Sequence, residues 1–279
     1  SGWGTLVGSL QSSYGLSSDV EYVYFTGGPH ADRTGNFKSE YSLANVYNKE
    51  QYQQSNLKFA ENQSDQSNHY VNIGNTVEFW LKKDALVHEA NASLGRYEVI
   101  FDSYASGSTP SDSNHLRTTI AIDGATSKFR VTYASGSYSS HTGLANVTIG
   151  NRNNAAITQL KDGKWHHYAI TFCNDRRAAK KQTRCRLYID GELASEHLES
   201  LGADEAIGHT DVHMAATIGS LATLAFESSS TAGLGWSKLS GSLDEFRFWK
   251  TERTDKNIGR NWFSQHGGGT NTDVANTAL

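Results

Sequence analysis

The sequence predicts an all-β protein, a sandwich of two antiparallel sheets with one short helix near its carboxyl end. The first observation is composition, since 13 Tyr, 11 Phe, 6 Trp and 26 Gly accompany one Met and two Pro. Aromatic residues favour the half-buried surface of a strand, whereas Gly, Asn and Ser supply turns. The second is a series of short strand-like runs between turn signals, and the third is the near absence of helical periodicity.

The strand-like runs follow one another along most of the chain. They lie at 20–25, 70–73, 77–81, 97–103, 118–122, 128–133, 165–173, 185–190, 216–219 and 243–249. Asp123-Gly124 and Asp190-Gly191 are turn pairs of the kind that close hairpins. Ser/Gly-rich segments at 106–114, 135–143 and 227–235 are predicted to be exposed loops. The one predicted helix lies at 251–263, with Thr254 as its N-cap.

Charge and hydropathy exclude two classes of partner. The formal net charge is −4, and the one basic run, 176–186, lies between two strand-like segments, as a solvated hairpin loop would. A nucleic-acid-binding domain usually carries a basic face instead. No apolar run approaches the roughly 18 residues of a membrane span. We therefore expect neither nucleic-acid binding nor membrane insertion.

Residues 161–192 carry the most informative motif. They read KDGKWHHYAITFCNDRRAAKKQTRCRLYIDGE, which resembles the laminin G-like hairpin G-x-W-H-H-V-A-V-T-Y, loop, R-L-Y-V-D-G-E. Residues 68–81 (NHYVNIGNTVEFWL) and 241–249 (GSLDEFRFW) resemble that family's first and closing strands. Because the three pieces occur in the family's order, the chain resembles a laminin G-like, concanavalin A-like domain. The resemblance implies a jelly-roll sandwich over 57–263.

Strand geometry gives the same hairpin independently. Tyr168, Ile170 and Phe172 share one face, and so do Cys185, Leu187 and Ile189, because side chains alternate along a strand. These apolar faces match only if the numbers of two facing residues add up to an odd number, for example Ile170 opposite Leu187. Cys173 and Cys185 then lie on opposite faces, so a direct cross-strand disulfide is disfavoured unless a bulge intervenes.

Three regions are predicted. Residues 1–56 are either an N-terminal extension or an added strand of the sandwich, 57–263 form the sandwich, and 264–279 are a polar tail. Both ends resemble cuts in a longer multidomain protein. The composition of the chain, rich in Tyr, Ser, Asn and Gly, also resembles that of laminin G-like modules in virion proteins of tailed phages.

The sequence offers no positive sign of catalysis. It contains no G-x-S-x-G, Walker, H-E-x-x-H or paired C-x-x-C motif. The adjacent residues His166 and His167 point to opposite strand faces, so they are predicted to pack and to form hydrogen bonds rather than to chelate one ion. Glu98 and Asp102 are predicted to share a face about 13 Å apart, farther than the separation of about 5–9.5 Å between glycosidase carboxylates. Carboxylates from distant strands remain an open alternative.

A structural calcium ion is what the resemblance implies for a metal. The Asp of the family's closing strand corresponds to Asp244. The family's usual partner is the Asp of an F-D-G turn, but Ala60 stands at that position. Either Glu61 or Asp65 substitutes for it, or the site has been lost.

Aromatic side chains are the candidates for sugar binding, because sugar sites use aromatic platforms with amides or hydroxyls. Trp236 and Tyr138 lie in Gly/Ser-rich segments and are predicted to be exposed. The sequence thus favours a non-catalytic carbohydrate-binding or adhesion module of a secreted, cell-surface or virion protein. Its expected partner is a glycan or a surface protein. A polysaccharide hydrolase or lyase on the same fold, and a purely structural decoration domain, are the alternatives.

Overall fold

The computed structural model describes residues 23–29, 41–42, 74–86, 96–105, 115–137, 140–175, 182–200, 215–221, 235–249 and 252–264. Within these ranges the chain forms strands, two short 3-10 helices (Arg152–Asn154 and Thr158–Lys161) and one α-helix. The strands and the α-helix are β1 Val23–Pro29, β2 Tyr41–Ser42, β3 Gly74–Lys82, β4 Tyr97–Ala105, β5 His115–Asp123, β6 Lys128–Ser137, β7 Ser140–Ile149, β8 Trp165–Asp175, β9 Gln182–Ile189, β10 Glu192–Ser200, β11 Ala215–Ile218, β12 Trp236–Trp249 and α1 Asp255–Asn261.

The strands form two layers that share β12. The hydrogen-bonded order is β10-β9-β8-β3-β12-β4-β5-β6-β7, and every neighbouring pair except β12–β4 is antiparallel. Phe79 of β3 and Tyr168 of β8 contact Phe129 of β6 with ring centroids 6.2 and 5.2 Å apart. These contacts join the inner faces of the two layers. The predicted sandwich is therefore confirmed.

The β8–β9 hairpin has the predicted register. Ile170 lies opposite Leu187, and Tyr168 lies opposite Ile189. These four side chains are buried in the main hydrophobic core, as predicted. Cys185 lies opposite Phe172 as a buried free thiol, in agreement with the expected register.

Three strands, β2, β7 and β10, were not among the predicted strand-like runs. Most of the segment 135–143, expected to be an exposed loop, belongs to β6 and β7, and β10 follows directly from the Asp190-Gly191 turn. Both β7 and β10 end the hydrogen-bonded path. Strands at a sheet edge carry polar and small residues, which weaken the alternating apolar pattern in the sequence.

The terminal helix has the predicted N-cap. The Thr254 hydroxyl accepts a hydrogen bond from the backbone N–H of Asn257 at 3.2 Å. Ile258 packs against Ala169 and Tyr188, which fixes α1 on the outer face of β8 and β9. In the part of the chain that the structure describes, no helix has the length and apolarity that crossing a membrane requires.

Residues 1–56 contribute β1 and β2 within the described ranges. β1 pairs with β12, and β2 pairs with β11. The predicted strand at 70–73 and the predicted loop at 106–114 lie outside the described residues.

Candidate functional site

The structure corrects the prediction for Trp236. This residue is not in an exposed loop but begins β12, and it is only 8% exposed. Its ring packs on Tyr97 at 5.0 Å, in a cluster with Val99 and Ala121, and the Arg130 guanidinium lies 5.4 Å from the ring centroid. The Gly/Ser-rich sequence before Trp236 misled the prediction, because parallel pairing with β4 extends the strand further than its apolar pattern does.

Of the other residues predicted to bind a sugar or a metal, the structure describes only Asp244. Asp244 lies in β12, and its Oδ1 accepts a hydrogen bond from the N–H of Glu245 at 2.7 Å. Tyr138, Glu61 and Asp65 lie outside the described residues. Among the residues that are described, no three His, Cys, Asp or Glu side chains are grouped so that they could hold a metal ion. The calcium site therefore stays a prediction.

Glu98 and Asp102 do not share a face, contrary to the sequence prediction. Pairing of β4 with β5 shifts between Val99 and Phe101, which is the signature of a β-bulge. Glu98 accordingly lies opposite core residue Ile122 and binds Lys83 at 2.8 Å. Asp102 lies on the other face, where it accepts a hydrogen bond from Thr119 at 2.6 Å. The extra residue of the bulge thus places the two carboxylates on opposite faces of the sheet, whereas their spacing in the sequence predicted one shared face.

A concave surface of the described residues flanks the loop 150–155. It comprises two adjoining clefts of about 430 and 560 Å³, which we call the loop groove. Arg152 and Ala194 line both clefts. The polar lining residues are Asn151, Arg152, Gln159, Asp190 and Glu192 in the first cleft and Thr148, Asn153, Asn154, Ser195, Glu196 and His197 in the second.

The sequence of the loop explains its shape. Asn153 and Asn154 have φ values of 57° and 55°, in the left-handed region that Asn tolerates better than most residues. At Gly150 a Cβ atom would lie 2.1 Å from the carbonyl oxygen of Ala155, so only glycine allows the loop to close. The Ser195 hydroxyl donates to the carbonyl oxygen of Gly150 at 2.5 Å and thereby ties the loop to β10.

The amide side chains of the loop are held in fixed orientations. Asn151 Oδ1 accepts from the N–H of Arg152, and Asn154 Oδ1 accepts from the N–H of Gly150, each at 2.8 Å. Because the oxygen of each carboxamide is engaged, its NH₂ group points away from that bond and remains a donor. The carboxamides of Asn151 and Asn154 are therefore ordered, and carboxylates line the same clefts.

The charged side chains of the groove differ in how firmly they are held. Arg152 and Glu192 lie 3.7 Å apart with side chains 77% and 81% exposed, which makes a weak surface pair. Glu196 instead binds Arg186 at 2.5 Å. Arg152 and Glu192 are thus the charged groups that a ligand reaches most easily.

His166 lies between two carboxylates, one of which, Asp190, lines the first cleft of the groove. Its Nδ1 is 2.7 Å from Asp190 Oδ2, and its Nε2 is 3.0 Å from Asp162 Oδ2. Partial burial alone would lower the pKa of His166, but its hydrogen bonds and charge attraction to Asp190 and Asp162 raise it overall. The hydrogen-bonding role predicted for His166 is confirmed, and we call this trio the His166 clamp.

A second charged cluster lies under α1 on the outer face of β3. Glu78 is fully buried, and its Oε1 binds Arg253 at 2.5 Å. Its Oε2 lies 3.7 Å from both His167 Nε2 and Arg247 Nη1, which is beyond hydrogen-bond distance. His167 packs beside Trp80 at 5.7 Å, so the packing role predicted for this residue is also confirmed. The cluster fixes the helix to the sheet, and its residues do not line the loop groove.

Sequence reasoning missed the groove for an identifiable reason. One wall of the groove is β10, and the other is the loop that follows β7. Neither β7 nor β10 was predicted as a strand. The run Asn151-Arg-Asn-Asn154 was the one available signal, because clustered Asn residues favour turns with positive φ. That signal indicates a turn but does not show what faces it.

Comparison with known proteins places the chain in a family. A laminin G family model, described as the concanavalin A-like lectin/glucanases superfamily, matches residues 52–259, well over half of the chain. No match was found among curated proteins.

Several solved structures are similar at low identity. They include domains LG4-5 of the mouse laminin alpha1 chain, at 14% identity and a TM-score of 0.40, with coverage of 73% of this chain and 41% of that one. The binding domain of botulinum neurotoxin serotype G matches at 13% and 0.36, with coverage of 67% and 35%. The endo-1,3-beta-glucanase from Streptomyces sioyaensis matches at 14% and 0.31, with coverage of 62% and 63%. The match spans less than half of the laminin and neurotoxin chains, and similarity at this level says nothing about a ligand.

Proposed function

Because this chain belongs to the concanavalin A-like lectin/glucanase superfamily, we propose that it is a non-catalytic module that binds carbohydrate in the loop groove. The observation that carries the proposal is the groove itself, an open concavity lined by amides, a hydroxyl, carboxylates and an arginine. Since fold alone does not determine function, the proposal depends on this lining.

The chemistry of the lining suits sugar hydroxyl groups. Each hydroxyl both donates and accepts, so it is matched by an amide NH₂ donor next to a carboxylate acceptor. Asn151 and Asn154 supply the donors, and the exposed Glu192 supplies an acceptor. Ligand pockets typically measure about 300–1,000 Å³, so clefts of about 430 and 560 Å³ suit a short oligosaccharide that crosses the loop.

The surroundings of the groove carboxylates favour binding over glycoside hydrolysis. A glycosidase general acid typically lies in an apolar pocket, whereas each groove carboxylate lies beside a basic side chain. Glu196 binds the Arg186 guanidinium, Asp190 binds His166, and Glu192 lies 3.7 Å from Arg152. We therefore propose a recognition or adhesion module of a secreted, cell-surface or virion protein, with a glycan or a glycosylated surface protein as its partner.

The first experiment is a glycan array with the full chain, run in calcium and again in EDTA. We expect retention of a defined set of glycans, and its loss in EDTA would support the calcium site at Asp244. Arg152→Gln should weaken retention of those glycans, because Arg152 lines both clefts. The exposed Arg260→Gln on α1 is the matched control, with the same change in charge at a residue that lines neither cleft.

Three outcomes would contradict the proposal. Absence of retention would favour a structural decoration domain, and equal retention by both variants would place binding outside the groove. Release of shorter oligosaccharides from a polysaccharide would show that the chain is a hydrolase or lyase.

A further inference from the structure

We propose that His166 is a positioning residue that holds one wall of the loop groove through Asp190, so that loss of its proton loosens this wall and weakens binding there. The ligand-binding half of this inference rests on the proposed function. The structural half, coupling of His166 to the groove, stands independently.

The clamp joins the segment 162–166 to the turn at Asp190, which lies 24 residues after His166. Asp162 follows the second 3-10 helix, His166 lies near the start of β8, and Asp190 opens the turn between β9 and β10. The imidazole lies within hydrogen-bond distance of both carboxylates, at 3.0 and 2.7 Å. His166 therefore connects the turn before β10 to the loop before β8.

Two carboxylate partners require a protonated imidazole. A neutral imidazole has one N–H, so it donates to one carboxylate and presents a lone pair to the other. The imidazolium donates to both. Since its interactions with Asp190 and Asp162 outweigh partial burial, the pKa of His166 is raised, and the complete clamp persists to a higher pH than a free histidine would allow.

Asp190 transmits the state of His166 to the groove. Its Oδ1 accepts from the N–H of His167, and its own N–H donates to the carbonyl oxygen of His167, each at 2.9 Å. Asp190 and Gly191 have φ values of 49° and 82°, as a type I′ turn requires, and Glu192 and Leu193 follow directly. Asp190, Glu192 and Leu193 all line the first cleft. Weakening the His166 contact at Asp190 Oδ2 thus leaves the turn that positions this wall held by its contacts with His167 alone.

The other charged groups near the clamp are few. The N–H of Lys164 donates to Asp162 Oδ1 at 2.9 Å and helps to orient that carboxylate. Asp84, after β3, lies beside Gly163, where its Oδ1 is 2.8 Å from the position of an added Cβ. The Tyr168 phenol, buried on the same strand, has a pKa raised far above its ordinary value by burial and by the same two aspartates, so it stays neutral. Asp162 and Asp190 are therefore the charged groups that act directly on His166.

The coupling is tested by NMR on the full chain without ligand. The His166 ring signals, titrated from pH 5 to 9, should show a midpoint above the ordinary value of about 6.5. The backbone amide signals of residues 190–194 should shift with the same midpoint. In His166→Gln this step should disappear, because the carboxamide does not titrate.

Matched variants separate the clamp from general effects of pH. His197 lines the second cleft but does not belong to the clamp, so His197→Gln should keep the step at residues 190–194. Asp162→Asn, which keeps the Asp190 contact, should lower the His166 midpoint yet leave the step in place. The coupling would be overturned by a His166 midpoint at or below 6.5. It would also be overturned if the amide signals of residues 190–194 did not shift with that midpoint, or if their step were unchanged in His166→Gln.

The ligand-binding half is tested by repeating the glycan array at pH 5.5 and pH 9. We expect several-fold weaker retention at pH 9 for the wild type and for His197→Gln, and a smaller difference between the two pH values for His166→Gln. Retention that is equal at both pH values in the wild type would refute the regulation. No retention at either pH would refute carbohydrate binding, while the NMR titration would still decide whether His166 positions the groove wall.

Discussion

Glu78→Gln tests how much the buried ion pair between β3 and the segment before α1 contributes to the free energy of unfolding. Glu78 is fully buried and binds Arg253 at 2.5 Å, while the Arg247 guanidinium lies 3.7 Å from its second oxygen. Arg253 also donates from its backbone N–H to Thr76 and from its side chain to the carbonyl oxygen of Asn257, so it links β3 to α1. Glutamine keeps the shape of Glu78 and removes its charge.

The expected cost is about 3–5 kcal/mol, because removing one member of a buried ion pair leaves the other charge buried without compensation. Arg247 retains Glu245 at 2.7 Å, so the uncompensated charge is mainly that of Arg253. Burial by itself would raise the pKa of Glu78, but His167 and Arg253 lower it overall. Its folded pKa is therefore below its unfolded pKa, and the stabilisation is complete above about pH 4.5 and lost as pH falls through the folded pKa.

Urea unfolding at pH 7 and at low pH measures both effects. Glu78→Gln should lower the unfolding midpoint at pH 7 without changing the m-value, and the difference from wild type should shrink in acid. Glu192→Gln makes the same change in an exposed pair and should alter the free energy of unfolding by about 0.5 kcal/mol or less. A cost below about 1 kcal/mol for Glu78→Gln, or an equal cost for both variants, would refute the reasoning, because a buried pair and an exposed pair should differ by more.

Three further substitutions test the packing of the sandwich and its terminal helix. Phe79→Ala should cost about 3–5 kcal/mol in urea unfolding, because it empties a fully buried site between the layers, whereas the 65% exposed Phe263→Ala should cost about 0.5 kcal/mol or less. Thr254→Ala should cost about 1 kcal/mol through loss of the helix N-cap, and an unchanged midpoint would show that α1 does not depend on it. Gly191→Ala should lower the thermal midpoint measured by circular dichroism, because φ at this position is 82° and the new Cβ would lie 2.2 Å from Trp262 Cδ1. A thermal midpoint equal to that of the wild type would contradict this close approach.

The sequence by itself determined the sandwich, the β8–β9 hairpin and the terminal helix. Period-two alternation is local information, so it fixes which of the side chains Tyr168, Ile170 and Leu187 face inward and which register matches them. The Asp190-Gly191 turn and the Thr254 cap are equally local, because each depends on a few adjacent residues.

Only the tertiary structure decided where polar and aromatic side chains come together. The bulge in β4 moved Glu98 and Asp102 to opposite faces, and pairing with β4 buried Trp236. The loop groove and the His166 clamp each join segments distant in sequence. Such contacts depend on edge-strand pairing, one-residue register shifts and the packing of one layer on the other, which a local pattern does not encode.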